Sequence, residues 1–374
     1  MQSSRNPPFR ADHVGSLVRP QSVVDARDAL KVGKIDKAAL RAIEDEAIRT
    51  AVAKQEALGL HVVTDGEFRR GTYSDSFTTS GIAGVEVQMT EDEGWRKSDT
   101  HGHRTARRIP AVTGHLSWRG PQNAMDFATL KSFTTQTPKI TLPGPAYIHY
   151  RAGRANIDKT AYPDLDKFWA DLVIAYHHEL KSLYDVGCRY VQIDETSLVK
   201  LGDPRARELL KERGDDWKDL LTTYVDAVNA VVAGVPADMK VAIHVCRSQD
   251  PSWQADVSYD PIADAIFNRL NIGTYLLEYD NPRAGGFEPL RLLPKGKAVV
   301  MGLVASRNPR LETKDELMKR IEEASKYAPL EQLGIGPHCG FATSVSVRGG
   351  EAEELQWRKL GVIVETARAV WGEN

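Results

Sequence analysis

The sequence predicts an α/β chain folded as a (β/α)8 TIM barrel, with an insertion between its second and third strands. Three observations carry this. Eight short apolar runs are mostly separated by amphipathic segments along 374 residues, and such alternation indicates a parallel sheet flanked by helices, closed at this count. No GxGxxG or P-loop sequence follows any run, so the phosphate-binding signature of nucleotide folds is missing. The chemically versatile side chains fall at the ends of the runs, where barrel enzymes place their sites.

The first run, 11–16, leaves through Arg19 and Pro20. A helix over 37–58 follows, because Leu40, Ile43, Ala47, Ala51 and Leu58 recur at helical spacings and form one apolar stripe. Gly59 ends that helix, and 61–67 is the second run. Residues 71–138 break the rhythm with Thr, Ser, Gly and charge, and with β-like pieces at 82–88 and 111–118. An excursion of 68 residues between two core elements indicates a folded cap or hairpin rather than a bare loop. Alternation then resumes with strands at 139–144, 190–195, 240–246, 274–280, 298–304 and 333–339. Helices are expected at 164–187, 216–234, 260–270, 313–327 and 351–370, with a short connection at 287–293. Residues 11–374 therefore read as one domain.

Composition bounds the function classes. The chain is 41% hydrophobic and 27% charged, ordinary values for a globular protein with a large core. A net charge of −2 gives no electrostatic case for nucleic acid or an anionic membrane. No 18-residue apolar stretch and no signal-peptide core occur, so the expected location is cytoplasmic. Three cysteines are too few for a disulfide framework. Cys188 reads as a small buried apolar residue, whereas Cys246 and Cys339 sit beside histidines at strand ends.

His244 and Cys246 are two residues apart in an apolar run, which places both on one face of a strand. Glu278 ends the run that begins at Thr274, and Cys339 ends the run that begins at Leu333. Imidazole, two thiolates and a carboxylate from three strands facing one barrel mouth form a Zn²⁺ ligand set. Zinc held by thiolates suits activation of a thiol better than generation of hydroxide. Ser16, Glu67 and Asp194 stand at other strand ends; each alone could cap a helix, but together they suggest a site. His338 reads as packing or a hydrogen bond beside a ligand. His13 and His149 read equally as mouth residues or structural ones, and His177–His178 and His101/His103 as solvated pairs.

Residues 11–374 resemble the C-terminal catalytic barrel of cobalamin-independent methionine synthase, and most closely its short single-barrel members. The motifs are His13-Val-Gly-Ser16, Asp65-Gly-Glu67, Gln192-Ile-Asp-Glu195, His244-Val-Cys246, Glu278 and Pro337-His-Cys-Gly340, in that order. The resemblance implies that His244, Cys246, Glu278 and Cys339 bind a catalytic zinc. It implies that Val14 and Ser16 hold the carboxylate of homocysteine, that Glu67 and Asp194 hold its ammonium group, and that the sulfur attacks a methyl group. The partners on this reading are homocysteine and a methyl donor, either methyltetrahydrofolate or a methyl-corrinoid protein. A homodimer is admitted; nucleic acid and membrane are not.

Three departures stand out. The full-length enzyme has a second, N-terminal half for which this chain has no room. The region around Pro143, Pro145 and Tyr147 is only loosely like the family's pterin-binding segment. Arg307 stands where the family has a donor-protonating histidine; an arginine is no general acid near neutral pH, but it binds anions. Asp194 and Arg307 complete the candidate catalytic set. The departures leave room for an alkyltransferase acting on another thiol, such as epoxyalkane:coenzyme M transferase. A non-catalytic zinc-binding barrel and a metal-free decarboxylase of the uroporphyrinogen type are the remaining readings.

Overall fold

The computed structural model describes residues 8–90, 107–247, 255–342 and 350–372. The first run pairs at one point, Ala11 bridging Ile335 in parallel. Helix α1 (Gln21–Lys31), which is not among the expected helices and follows the Arg19–Pro20 exit, starts at Pro20, whose carbonyl accepts from the Val23 and Val24 amides. Helix α2 (Lys37–Leu58) is capped by Asp36, whose side chain accepts from the Ala39 amide at 2.8 Å, and ends at Gly59 with φ 95°.

The second run pairs only over β1 (Val62–Val63). The chain then turns, because Gly66 and Glu67 adopt positive φ of 65° and 60° and the Glu67 amide bonds to Asp65 Oδ1. Next come β2 (Ile82–Thr90) and β3 (Arg107–Trp118), an antiparallel pair, followed by α3 (Ala124–Ser132). Strand β4 (Thr137–Pro138) is the parallel partner of β1.

The remaining strands are β5 (Ile140–Pro143), β6 (Tyr190–Glu195), β7 (Lys240–Val245), β8 (Thr274–Glu278), β9 (Ala298–Val304) and β10 (Leu333–Pro337). Among the described residues they form a six-stranded parallel sheet in the order β10–β9–β8–β7–β6–β5. The connections carry α4 (Tyr147–Ala152), α5 (Leu165–Asp185), α6 (Pro204–Arg213), α7 (Trp217–Val232) and α8 (Lys314–Ala324), and α9 (Glu351–Trp371) closes the chain. The helix expected at 260–270 is instead a 3-10 turn at Asp260–Ile262 and a π turn at Ala265–Arg269; the Leu270 amide reaches back five residues to the Ala265 carbonyl.

The sheet has two apolar faces. The helices cover one: Phe168, Leu172, Tyr176, Leu180 and Leu183 of α5 and Leu221, Tyr224, Val225 and Val228 of α7 are buried in the main core. On the other, Phe9, Val14, Val62, Tyr190, Ala242, Leu276 and Val300 form a separate small cluster drawn largely from the strands. That pattern is what inward-facing alternate residues produce when strands pack against one another. No helix among the described residues is long and apolar enough to cross a membrane.

Register sets the level of the strand ends. Asp194 lies opposite His244, and Glu278 lies opposite Gly302. Gly302 is constrained by close approach: a Cβ there would meet His338 Cα at 2.5 Å and the Leu277 carbonyl at 2.8 Å. The polar ends of β6, β7 and β8 therefore share one rim.

Candidate metal centre

Strand alternation sends Ala242, His244 and Cys246 to one face. Cys246 follows β7, but its amide still donates to the Glu195 carbonyl at 3.0 Å, so the ladder holds it in place. His244 Nδ1 lies 3.1 Å from the Leu276 carbonyl and donates to it. That bond leaves Nε2 with the lone pair, and Nε2 is buried without a hydrogen-bond partner. Nε2 is 4.0 Å from Glu278 Oε1, and the Cys246 and Cys339 sulfurs are 3.8 Å apart. One ligand atom from each of His244, Cys246, Glu278 and Cys339 lies within 4.8 Å of all the others, and all four residues are buried.

The surrounding bonds orient these ligands. The Arg247 amide donates to Glu278 Oε1 at 2.9 Å, and the Glu278 amide donates to the Tyr259 hydroxyl at 2.8 Å. A buried donor with no acceptor is costly, whereas a carbonyl-anchored imidazole with a free inward nitrogen is the usual preparation for a metal. The donor set fits a divalent cation.

Electrostatics agree with that fit. Burial, with the neighbouring Cys246 charge, pushes the Glu278 carboxyl well above its ordinary range. A hydrogen bond from Cys339 pulls Cys246 down, while burial and Cys246 push Cys339 up, so the pair holds a single thiolate. Burial works against a charged His244, but Cys246 and Asp194 outweigh it and raise the imidazole pKa. The raised Glu278 carboxyl and Cys339 thiol favour their protonated forms, and a metal bound there would displace those protons.

A second group lies beside the first. Gln192, fully buried, donates its amide hydrogens to the Val14 carbonyl and Asp194 Oδ1, each at 2.7 Å. Gln192 is itself held by Lys139, whose ammonium also bonds to Asp12 Oδ1 at 2.7 Å and to the His13 carbonyl. Glu67 is the one non-glycine residue at positive φ among the described residues, a conformation that costs free energy and recurs at functional sites. Arg19 steadies it by donating to the Glu67 and Arg70 carbonyls at 2.8 Å. Thr141 Oγ1 donates to Glu67 Oε1 at 2.8 Å, and Arg70 Nη1 stands 3.3 Å from the same oxygen. The Ser16 carbonyl accepts from the Phe341 amide, and a Cβ on Gly340 would collide with Ser16 Oγ. Burial, and then the Glu67 charge, raise the Asp194 carboxyl to about 7. Two carboxylates that resist joint ionisation form a receptor for a cation.

Arg307 is exposed, on the rim of a cavity of about 540 Å³ that Glu278 and His338 also line. Burial and Cys246 raise the Cys339 thiol, and the Arg307 charge opposes them as the smallest of the influences on it. His338 accepts from the Ser306 amide at 3.0 Å and forms a second potential ligand group with Glu278 and Asp280. His13 is buried, and His149 pairs with the Tyr224 hydroxyl at 2.9 Å. Burial lowers both pKa values to about 4. His177 bonds to the Ala230 carbonyl and His178 stacks on Trp118; His101 and His103 lie outside the described residues. Cys188 is buried, and burial pushes its thiol up to about 12. Sequence reasoning missed Lys139, Arg247 and Thr141. Their signal was a charged residue flanking an apolar strand, for Lys139 and Arg247, and a polar residue inside one, for Thr141.

A family model for the cobalamin-independent synthase catalytic domain matches residues 9–367. The chain belongs to that family. The family is one of methyltransferases of methionine biosynthesis. Bacillus subtilis YxjH is 36% identical over 375 residues, spanning 99% of this chain and 97% of that protein. The methionine synthase of Pyrococcus abyssi is 26% identical over 329 residues, spanning 88% of this chain and 85% of that one. A solved structure from Listeria monocytogenes, described as a candidate vitamin-B12-independent methionine synthase, superposes with a TM-score of 0.76. It is 33% identical, with 99% of this chain and 100% of that one covered. Resemblance to the family thus extends over the whole α/β scaffold that carries the rim.

Proposed function

We propose that the chain is a zinc-dependent S-methyltransferase that moves a methyl group from methyltetrahydrofolate or a methyl-corrinoid donor to homocysteine, giving methionine. The observation that carries this reading is the convergence of His244, Cys246, Glu278 and Cys339, with His244 Nε2 buried and unpaired. Two sulfurs, one imidazole and one carboxylate suit zinc better than the hard cations, which prefer all-oxygen sites. When bound there, zinc supplies the positive charge that keeps a substrate thiol ionised near neutral pH. We read the sheet as a closed (β/α)8 barrel spanning 11–374, since Ala11 pairs with β10 and β1 pairs just ahead of β5. Within the insertion expected at 71–138, β2, β3 and α3 then form a cap between the second and third strands, while β4 joins the barrel wall.

The chain's own residues orient the acceptor. Glu67 and Asp194 clamp its ammonium group, and that group restores full ionisation to Asp194. Ser16 and the Val14 backbone meet its carboxylate end, with Gln192 fixing Val14 and Asp194 in one bond pattern. The homocysteine sulfur then gives an electron pair to the methyl carbon, while the carbon's bond to the donor breaks and its pair leaves with the donor. Arg307 supplies no proton in this step; it supplies charge. The two thiols of the centre must remain reduced, which favours the cytoplasm.

The test is methionine formation by the zinc-loaded protein from homocysteine and either 5-methyltetrahydrofolate or methylcobalamin, measured by mass spectrometry. Methionine from either donor is the expected result. Alkylation of coenzyme M with homocysteine left untouched would overturn the acceptor assignment.

A further inference from the structure

The cavity of about 540 Å³ beside the metal centre is lined from the ends of β7, β8, β9 and β10. None of Val14, Ser16, Glu67 and Asp194 lines it. It therefore opens onto Glu278 from a direction that the proposed amino-acid clamp does not use. Its charged lining is three arginines, Arg247, Arg283 and Arg307, against Glu278 and Asp280. With Glu278 engaged as a ligand, the guanidinium groups outnumber the remaining carboxylate.

Arg247 is the decisive residue. Its side chain is 3% exposed, and its guanidinium lies over the Tyr259 ring at 4.8 Å. Nη1 donates to the carbonyls of Ala255 at 3.2 Å and Arg283 at 3.4 Å. Nε and Nη2 are buried and have no hydrogen-bond partner among the described residues. Those two nitrogens form one edge of the guanidinium plane, the edge that pairs two parallel N–H groups with an oxyanion. Leaving such an edge buried and unpaired is costly, and the backbone amide of the same residue already holds the metal-ligand candidate Glu278.

We infer that this cavity is an anion subsite for the second substrate, in which Arg247 grips an oxyanion carried by the methyl donor and Arg307 faces it from the rim. The inference rests on the methyltransferase reading above. The oxyanion is a carboxylate if the donor is a folate with its glutamate tail, and a phosphate if the donor is a corrinoid with its nucleotide arm. Asp280, whose Oδ1 accepts from Asn281 Nδ2 at 2.9 Å, is the one carboxylate of the lining that stays outside the four-residue metal group, against three guanidinium groups.

The test is calorimetric titration of the full-length, zinc-loaded protein with 5-methyltetrahydrofolate and, separately, with methylcobalamin, each with and without sulfate. At least one donor should bind and be displaced by sulfate, and the identity of that donor separates the two sources. Arg247→Gln and Arg307→Gln should each weaken donor binding about tenfold or more, the loss expected for a charge-assisted hydrogen bond. Homocysteine affinity, measured in parallel, should hold. Arg307 is exposed, so its variant tests the subsite even where the buried Arg247 variant fails to fold. The inference is overturned if neither donor binds, if sulfate and both substitutions leave donor affinity unchanged, or if sulfate displaces homocysteine instead. Failure to bind homocysteine, with sulfate-sensitive donor binding intact, would sink the acceptor assignment and leave the subsite standing.

Discussion

Replacing Asp194 by Asn separates metal binding from substrate binding. Asparagine keeps an oxygen for the 2.7 Å bond from Gln192 Nε2, so the Val14 carbonyl stays where Gln192 holds it. It removes one of the two carboxylates proposed to face the ammonium group, while Glu67 remains. The loss is one charge-assisted hydrogen bond in a buried site, about 1.5–3 kcal/mol, or roughly 10- to 150-fold in affinity. Metal content should not change, because Asp194 is outside the four-residue ligand group and acts on His244 only through charge. Homocysteine affinity is read by calorimetry under reducing conditions, and zinc by elemental mass spectrometry on the same sample. A metal-free Asp194→Asn protein would refute the division of roles. Unchanged homocysteine affinity would refute the ammonium clamp.

Three further predictions follow from other parts of the site. Cys246→Ser and Cys339→Ser should each lose zinc and methyl transfer together, seen in metal content and methionine yield; a zinc-replete, inactive variant would contradict the ligand assignment. Methionine has no ionisable thiol, so the pH dependence of its binding reports the clamp. Burial and the Glu67 charge raise the Asp194 carboxyl to about 7, and the proposed clamp needs it ionised to bind the ammonium group, so methionine should bind more weakly below that pH and more tightly above it. Asp194→Asn should flatten that profile, and a slope that survives the substitution would assign the titration elsewhere. Lys139→Met leaves Asp12 and Gln192 without their buried cation; breaking such a pair costs about 3–5 kcal/mol. Urea unfolding should show that loss, and a change below 1 kcal/mol, roughly a surface pair's worth, would mean that the network is not structural.

The parallel order of the sheet and the metal group were readable because each depends on short-range pattern. His244 and Cys246 share a strand face by alternation alone, and Glu278 and Cys339 stand at the ends of apolar runs that form β8 and β10 of the same parallel sheet, with β9 between them. Other features depend on contacts between residues far apart in sequence. Lys139 meets Asp12 across 127 positions, and no periodicity announces that pairing. The extent of the first two strands was also hidden, because Glu67 leaves the ladder through a left-handed conformation that tertiary bonds from Arg19 stabilise. Helix α1 was missed because Pro20 reads as a terminator when it in fact starts a helix, its fixed φ being compatible with that position. Arg247 was overlooked because it stands directly after the candidate ligand Cys246, and its significance lies in two unpaired nitrogens that only the folded chain reveals.

The most direct test of the central claim is zinc-edge X-ray absorption on the purified protein, before and after homocysteine is added. The ligand group His244, Cys246, Glu278 and Cys339 offers two sulfurs, so the resting spectrum should require two sulfur scatterers. Homocysteine should add one more, and coenzyme M should not. A spectrum unchanged by homocysteine on a zinc-loaded sample would contradict thiol activation at this centre.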